Sequence, residues 1–259
     1  RIFPRRANRR YSWPALGREQ RRGTNLLISM TFFGYHFTDG PVLRNGRSLP
    51  PEGHWLTYVG EISMCERGFH ASQHPLDATL YAPGFLLHYV ELGGTVIVED
   101  DKFCASKRKI LASIDATPIV KTFAQELAVE VADYLPERDL RELIRSWAID
   151  DSNARRISRK FREMAGAAET FEKEDLYSLF SRAVQCFHRG RKPAYCYIAY
   201  YNAIEFTKRN PLTTEPWESV EFRYRDRFLD LVLNEFAKHY EIVTFKSTRF
   251  SFKRRAENS

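Results

Sequence analysis

The sequence predicts an α+β fold: a small mixed or antiparallel sheet module followed by an α-helical bundle. Three observations carry this. Before residue 116, apolar and polar residues alternate over short runs broken by Gly, Pro and Asn, the pattern of strands. After Thr117-Pro118, a cap followed by a proline suited to a first helical turn, apolar residues recur at helical spacing. Strands and helices are thus segregated along the chain, about six short strands with one short helix and then about five helices.

Composition sets the outer bounds. The 43% hydrophobic and 14% aromatic content argues for a packed core rather than global disorder. No window approaches a membrane-spanning apolar run. Four scattered cysteines make no disulfide framework, so a reducing, cytoplasmic compartment and no membrane partner are expected. The net charge of +7 is concentrated at the start: residues 1–29 hold eight Arg, no Lys and the single acid Glu19, and the remainder balances to zero. Residues 1–29 read as a basic disordered arm that contacts nucleic acid, or as an upstream extension with Met30 as the start; the second is preferred. Residues 30–116 are the β-rich module, and residues 117–259 the helical domain with a strand-like tail.

In order, Thr31–Thr38 is an aromatic-rich first strand closed by Asp39-Gly40-Pro41. Asn45-Gly46 and Pro50-Pro51 mark a loop, and Trp55–Met64 is strand-like around Gly60. Strands at Phe85–Leu92 and Thr95–Glu99 are separated by a Gly93-Gly94 turn, and Asp100-Asp101 leads into Phe103–Leu111. In the helical part, Val120, Phe123, Leu127, Val131 and Tyr134 form one stripe, and Leu140, Leu143, Ile144 and Trp147 another. A less regular helix follows Asp150-Asp151. Leu176, Leu179, Phe180, Ala183 and Val184 make the most regular stripe, stopped at Gly190. A helix from Pro193 and one burying Leu229, Val232, Leu233 and Phe236 precede a strand-like tail at Glu241–Phe252, which returns to the first sheet or hangs off as an edge.

Ile62–Ala82, ISMCERGFHASQHPLDATLYA, concentrates reactive side chains in one supersecondary unit. Arg67-Gly68 turns the chain, Phe69–Ser72 is extended, and Ser72 or His74 precedes Pro75 at a helix start. Leu76, Leu80 and Tyr81 are the expected buried stripe of that helix. His70, Ser72 and His74 then sit at a strand-to-helix junction, where polar side chains and helix amides meet ligands.

This motif, with VIVEDDKFCASKRKIL after it, resembles an uncharacterised family of phage and prophage proteins that pair a β-rich module with a helical tail. The matching residues are Cys65, Gly68, Phe69, His70, Ala71, Pro75, Leu76 and Asp77, then Asp101, Lys102, Ala105 and Ser106. The resemblance covers roughly residues 35–150 and implies a phage context without an established activity. The module is also similar to ADP-ribosyltransferase-like domains. That likeness implies NAD as cofactor, with His36, Tyr81 and Glu99 as the catalytic set and His36, His70 and Ser72 as cofactor contacts. A carboxylate such as Glu99 would stabilise an oxocarbenium-like transition state by its charge. The plain alternative is a strand histidine, a core tyrosine and a solvated acidic turn.

Other chemistries weigh less. Cys65, His70 and His74, with Cys104 as a fourth ligand, give an imperfect zinc spacing, and no metal is expected. Cys65 or Ser72 beside His70 lacks the elbow of a nucleophilic site. Nucleic acid is conceivable only through the N-terminal arm or the basic tail; Lys102, Lys107, Arg108 and Lys109 read more simply as solvated edge-strand cations. The competing function is a non-enzymatic interaction protein whose β module braces the helices, with an unknown protein or nucleic-acid target.

Overall fold

In the computed structural model, which describes residues 31–43, 46–99, 101–186, 192–245 and 249–255, the first segment is antiparallel sheet and the second helical. Residues 1–29, Asn45, Asp100, Gly190 and Lys246, on which expectations above rest, lie outside the described residues.

The sheet comprises β1 (Phe32–Thr38), β2 (Trp55–Thr57), β3 (Phe69–Ser72), β4 (Leu86–Val98) and β5 (Lys102–Asp115). β4 and β5 form one long hairpin running from Leu86 opposite Asp115 to Val98 opposite Phe103. β1 pairs with β4 along its length and with β3 at Tyr35–Ser72, and β3 pairs with β5 over 102–105. The sequence β5–β3–β1–β4 therefore returns to β5, and the strands close into a small barrel with β2 added along β5. Gly34 permits the closure, since a Cβ there would stand 2.7 Å from the Ser72 carbonyl and 3.2 Å from the Ala71 Cβ.

Gly93-Gly94 does not reverse the chain as expected. It sits inside β4 at an irregularity of register, with Gly94 at φ +71°, and the reversal falls beyond Val98. A second irregularity, between Tyr89 and Val90, leaves Leu111 on β5 without an opposite residue. β2 is also shorter than the expected strand, ending at Thr57.

The barrel has two apolar faces. Ala71, Val90, Leu92, Phe103, Ala105 and Ile110 form a small cluster in its interior. Its outer face, with Tyr35, Phe37, Leu87, Tyr89, Ala112 and Ile114, joins one continuous cluster with the helices. Period-two alternation on β1 is as anticipated: Tyr35 and Phe37 pack outward and His36 faces the other way.

The helices are α1 (Pro75–Leu80), α2 (Thr117–Val131), α3 (Arg138–Ile149), α4 (Ala154–Gly166), α5 (Phe171–Gln185), α6 (Ala194–Arg209) and α7 (Trp217–His239). α1 starts as the sequence suggests, with His74 Nδ1 accepting the Leu76 N–H at 3.2 Å. Its buried residues are Pro75 to Thr79: Leu76 is in the core as expected, whereas Leu80 and Tyr81, expected beside it, are exposed. The reason is Asp77, which turns inward to a bidentate pair with Arg225 of α7 at 2.8 and 2.7 Å. At α2 the N-cap is Ala116, one residue earlier than expected: Thr117 is already helical, and its N–H is accepted by Asp115 Oδ1 at 2.8 Å.

The tail is a hairpin, β6 (Tyr240–Phe245) with β7 (Arg249–Arg254), rather than one strand, and it docks on the barrel. The Tyr89 hydroxyl accepts the Phe250 N–H at 3.2 Å, and the Tyr240 hydroxyl donates to Glu52 Oε1 at 2.6 Å. Phe252 packs between Tyr89 and Phe236 with centroids at 5.0 and 4.8 Å. Phe250 and Phe252 thus belong to the core cluster shared with the helices. Among the described residues no helix is long and apolar enough to cross a membrane.

Leu179, Phe180 and Val184 are completely buried, and Phe180 packs on Phe161 with centroids at 5.0 Å. Phe180→Ala should lower unfolding free energy by about 3–5 kcal/mol, read by urea denaturation. A loss within the range of surface substitutions would mean that this stripe is not the centre of the helical core.

Candidate functional site

The sequence-predicted site residues divide between two neighbourhoods. Outside the barrel, at the strand-to-helix junction, ionisable groups gather around Lys102. Its Nζ lies 3.5 Å from Glu99 Oε2 and 5.5 Å from the centroid of the Tyr81 ring. Burial pulls the Lys102 pKa down, but the neighbouring Cys65, Tyr81 and Asp101 outweigh it and hold the ammonium above its ordinary range. The Tyr81 hydroxyl donates to Asp101 Oδ2 at 3.4 Å, and partial burial followed by the Asp101 charge raises its pKa. Both Tyr81 and Glu99 are about half exposed, so these pairs are wet and individually small.

Cys65 is the one non-glycine among the described residues with positive φ, at 66°. Its N–H donates to His70 Nε2 at 2.9 Å, which makes that nitrogen an acceptor. His70 is therefore committed to the turn backbone through Nε2 and does not take the thiol proton there. Gly68, at φ +113°, is required beside it, because a Cβ would stand 2.8 Å from Cys104 Sγ. The Cys104 thiol is buried and donates to the Arg67 carbonyl at 3.1 Å, and His74 is spent as the α1 cap. Among the described residues no group of three His, Cys, Asp or Glu is arranged to hold a metal ion.

His36 and Ser72 do not belong to this cluster. Ser72 is buried where β3 meets β1. His36 points into the barrel, its ring facing that of His88 with centroids at 6.3 Å. The space above Gly34, which could have admitted a cofactor, is filled by Ser72, Ala71 and Phe103. The set His36, Tyr81 and Glu99 is thus split: the last two meet at Lys102, and the first lies within the sheet.

The barrel interior is the second neighbourhood, and the sequence did not point to it. His88 is fully buried between Thr38 Oγ1 at 2.9 Å and Ser113 Oγ at 2.8 Å. The Thr38 hydroxyl donates to the Gly40 carbonyl, so it accepts from His88 Nε2–H, and Nδ1 accepts from Ser113. Arg108, read from sequence as a solvated edge cation, is only 3% exposed. It lies over the Phe69 ring, with Cζ 5.1 Å from the centroid. Burial lowers the Arg108 pKa to about 10. Burial first and the Arg108 charge second push His88 down to about 3 and hold His36 well below the ordinary histidine range.

Residues 45–122 match the family model described as a domain of unknown function (DUF7666). The match spans β2 to the first turns of α2, including the Lys102 cluster and Arg108 but not His36. No curated protein and no solved structure matches the chain.

His88, fully buried, makes stability depend on pH, and His36 acts in the same direction. The folded pKa of His88 lies below the unfolded value near 6.5, so the unfolded chain binds more protons between about pH 6.5 and 3. Stability is full above that window and falls as pH drops through it, by up to about 1.4 kcal/mol per pH unit per histidine. His88→Gln should flatten the slope of urea-derived stability against pH by roughly that one-histidine amount. An unchanged slope would show that His88 is not held neutral in the folded state.

Proposed function

We propose that this chain is a non-enzymatic interaction protein of the phage-accessory kind, in which the barrel braces the helices so that both present one continuous surface. The carrying observation is the buried Asp77–Arg225 pair, which joins the helix beside the GFHA motif to α7 inside a hydrophobic cluster shared by sheet and helices. Around it, Tyr200 donates to Glu221 Oε1 at 3.1 Å and also bonds Arg225, so the junction is a connected polar network. Such geometry favours rigidity over an opening cleft. A protein partner suits the far end of the helices, where Phe171 and Leu212 are 75% and 77% exposed near the start of α5 and the end of α6.

Bracing predicts coupled stability. Arg225→Met leaves the Asp77 carboxylate buried without its counter-ion, which should cost about 3–5 kcal/mol. The paired change Asp77→Leu with Arg225→Met should recover most of that loss. Hydrogen exchange should then show barrel and helices losing protection together in the single variant. Loss confined to the helices would overturn the bracing reading.

One observation favours NAD-dependent ADP-ribosyl transfer as a second reading, namely that Tyr81 and Glu99 share Lys102. The two readings separate on labelled NAD incubated with the protein and a cell lysate. The interaction reading expects no calorimetric NAD binding and equal labelling by wild type and Glu99→Gln. NAD binding in both proteins, with transfer abolished only in Glu99→Gln, would replace it with the enzyme.

A further inference from the structure

We propose that the barrel interior beside Arg108 binds a small oxyanion, the carboxylate or phosphate group of a ligand, on the unused edge of the guanidinium. This site stands apart from the interaction reading and from the Lys102 cluster.

The argument begins with unsatisfied donors. Among the described residues, Arg108 Nη1 donates to the His70 carbonyl at 3.3 Å, and no other hydrogen bond or ion pair reaches the guanidinium. Nε is buried with no partner. Nε–H and Nη2–H lie side by side on one edge of the planar group, the edge that grips a carboxylate or phosphate through two parallel hydrogen bonds. The contact with Phe69 takes the flat face of the guanidinium and leaves that edge unused. The guanidinium is thus oriented from two sides before any ligand arrives.

The surroundings supply no competing charge. No carboxylate pairs with Arg108 among the described residues, whereas the neighbouring Lys109 is engaged by Glu91 at 2.5 Å and by the Trp55 ring at 4.7 Å. The His36 ring makes no hydrogen bond to the described residues and shares the interior with Arg108. Its ring nitrogens are therefore uncommitted among the described residues. His36 and Phe69 are only half-buried, so the site lies one side chain below the surface. A buried guanidinium with an unpartnered Nε–H is costly to fold unless an anion offsets it. A structural cation would instead be expected to have a built-in carboxylate.

The test uses the full chain labelled with 15N-arginine. The Arg108 Nε–H resonance is assigned by its absence from Arg108→Met, or from Arg108→Lys if the first variant does not fold. Sodium phosphate and sodium acetate are titrated separately at ionic strength held constant with sodium chloride. A saturable shift of that resonance is expected in at least one arm, and the responding arm identifies the anion class. Arg108→Lys keeps the charge but loses the fork, so thermal-shift titration should show affinity about tenfold weaker or worse. His36→Asn should weaken it less. No shift in either arm, or equal affinity in Arg108→Lys, would overturn the proposal and leave Arg108 satisfied by water alone.

Discussion

Closure of the sheet is the constraint on which the remaining structure depends. β5 must pair with β3 over 102–105 and with β4 along most of its length, and a flat hairpin cannot do both. The two register irregularities supply the curvature, one at Gly93-Gly94 and one at Leu111. Each inserts unpaired residues that bend the strand. The Leu111 bulge has a second consequence, because one extra residue exchanges the faces of everything beyond it. Ala112 and Ile114 face the helices, while Ile110 lines the barrel and Arg108 is buried with it. A one-residue irregularity therefore turns a cation of the strand inward.

Curvature also decides how the barrel meets the helices. With the interior lined by its own small cluster, the outward face is left to pack on α1 and α7, and through them joins the helical core. α1 is wedged where sheet and helices meet, and its burial would be costly for Asp77 without Arg225. Burial pushes the Asp77 carboxyl upward and is the larger influence, while the bidentate guanidinium pulls it back. A pair of this kind adds little net stability over an apolar replacement, but it fixes orientation, since either partner alone would be stranded. The GFHA motif is thereby tied to a helix about 150 residues further along, and the short α1 acquires a tertiary reason to exist.

What was legible in the sequence follows the same physics. Long periodic stripes, such as that through Leu179, Phe180 and Val184, read correctly because a helix of about four turns repeats its signal. The alternation that separates His36 from Tyr35 and Phe37 was legible for the same reason. Gly93-Gly94 was misread because glycine marks a bulge and a turn equally well in one dimension. Leu80 and Tyr81 were placed in a core that α1 reaches instead through Asp77, a residue whose burial depends on a partner far along the chain. Arg108 was beyond sequence reasoning. Strict alternation from Ile114 and Ala112 gives no hint that the following residues change face, and an arginine between two lysines reads as solvent-facing. The transferase set was assembled by order along the chain, which cannot tell the inside of a closed sheet from its outside.

The placement of Arg108 also bears on how the protein balances stability against function. Most charged residues on β5 find inexpensive solutions: Lys102 joins the exterior cluster and Lys109 is held by Glu91 and Trp55. Arg108 alone among them is driven inside without a counter-ion among the described residues, and two histidines nearby are held below their ordinary range by burial first and its charge second. Replacing such a group by an apolar residue of similar length would ordinarily strengthen a core of this size. The pattern of satisfaction around it argues that the expense is local and specific. His88 has both ring nitrogens occupied, and the guanidinium has a carbonyl and an aromatic face, yet the edge suited to an oxyanion is left without an acceptor. Unpaired donors scattered through an interior indicate poor packing, whereas donors gathered on one preoriented group indicate a place prepared for something not made by the chain itself.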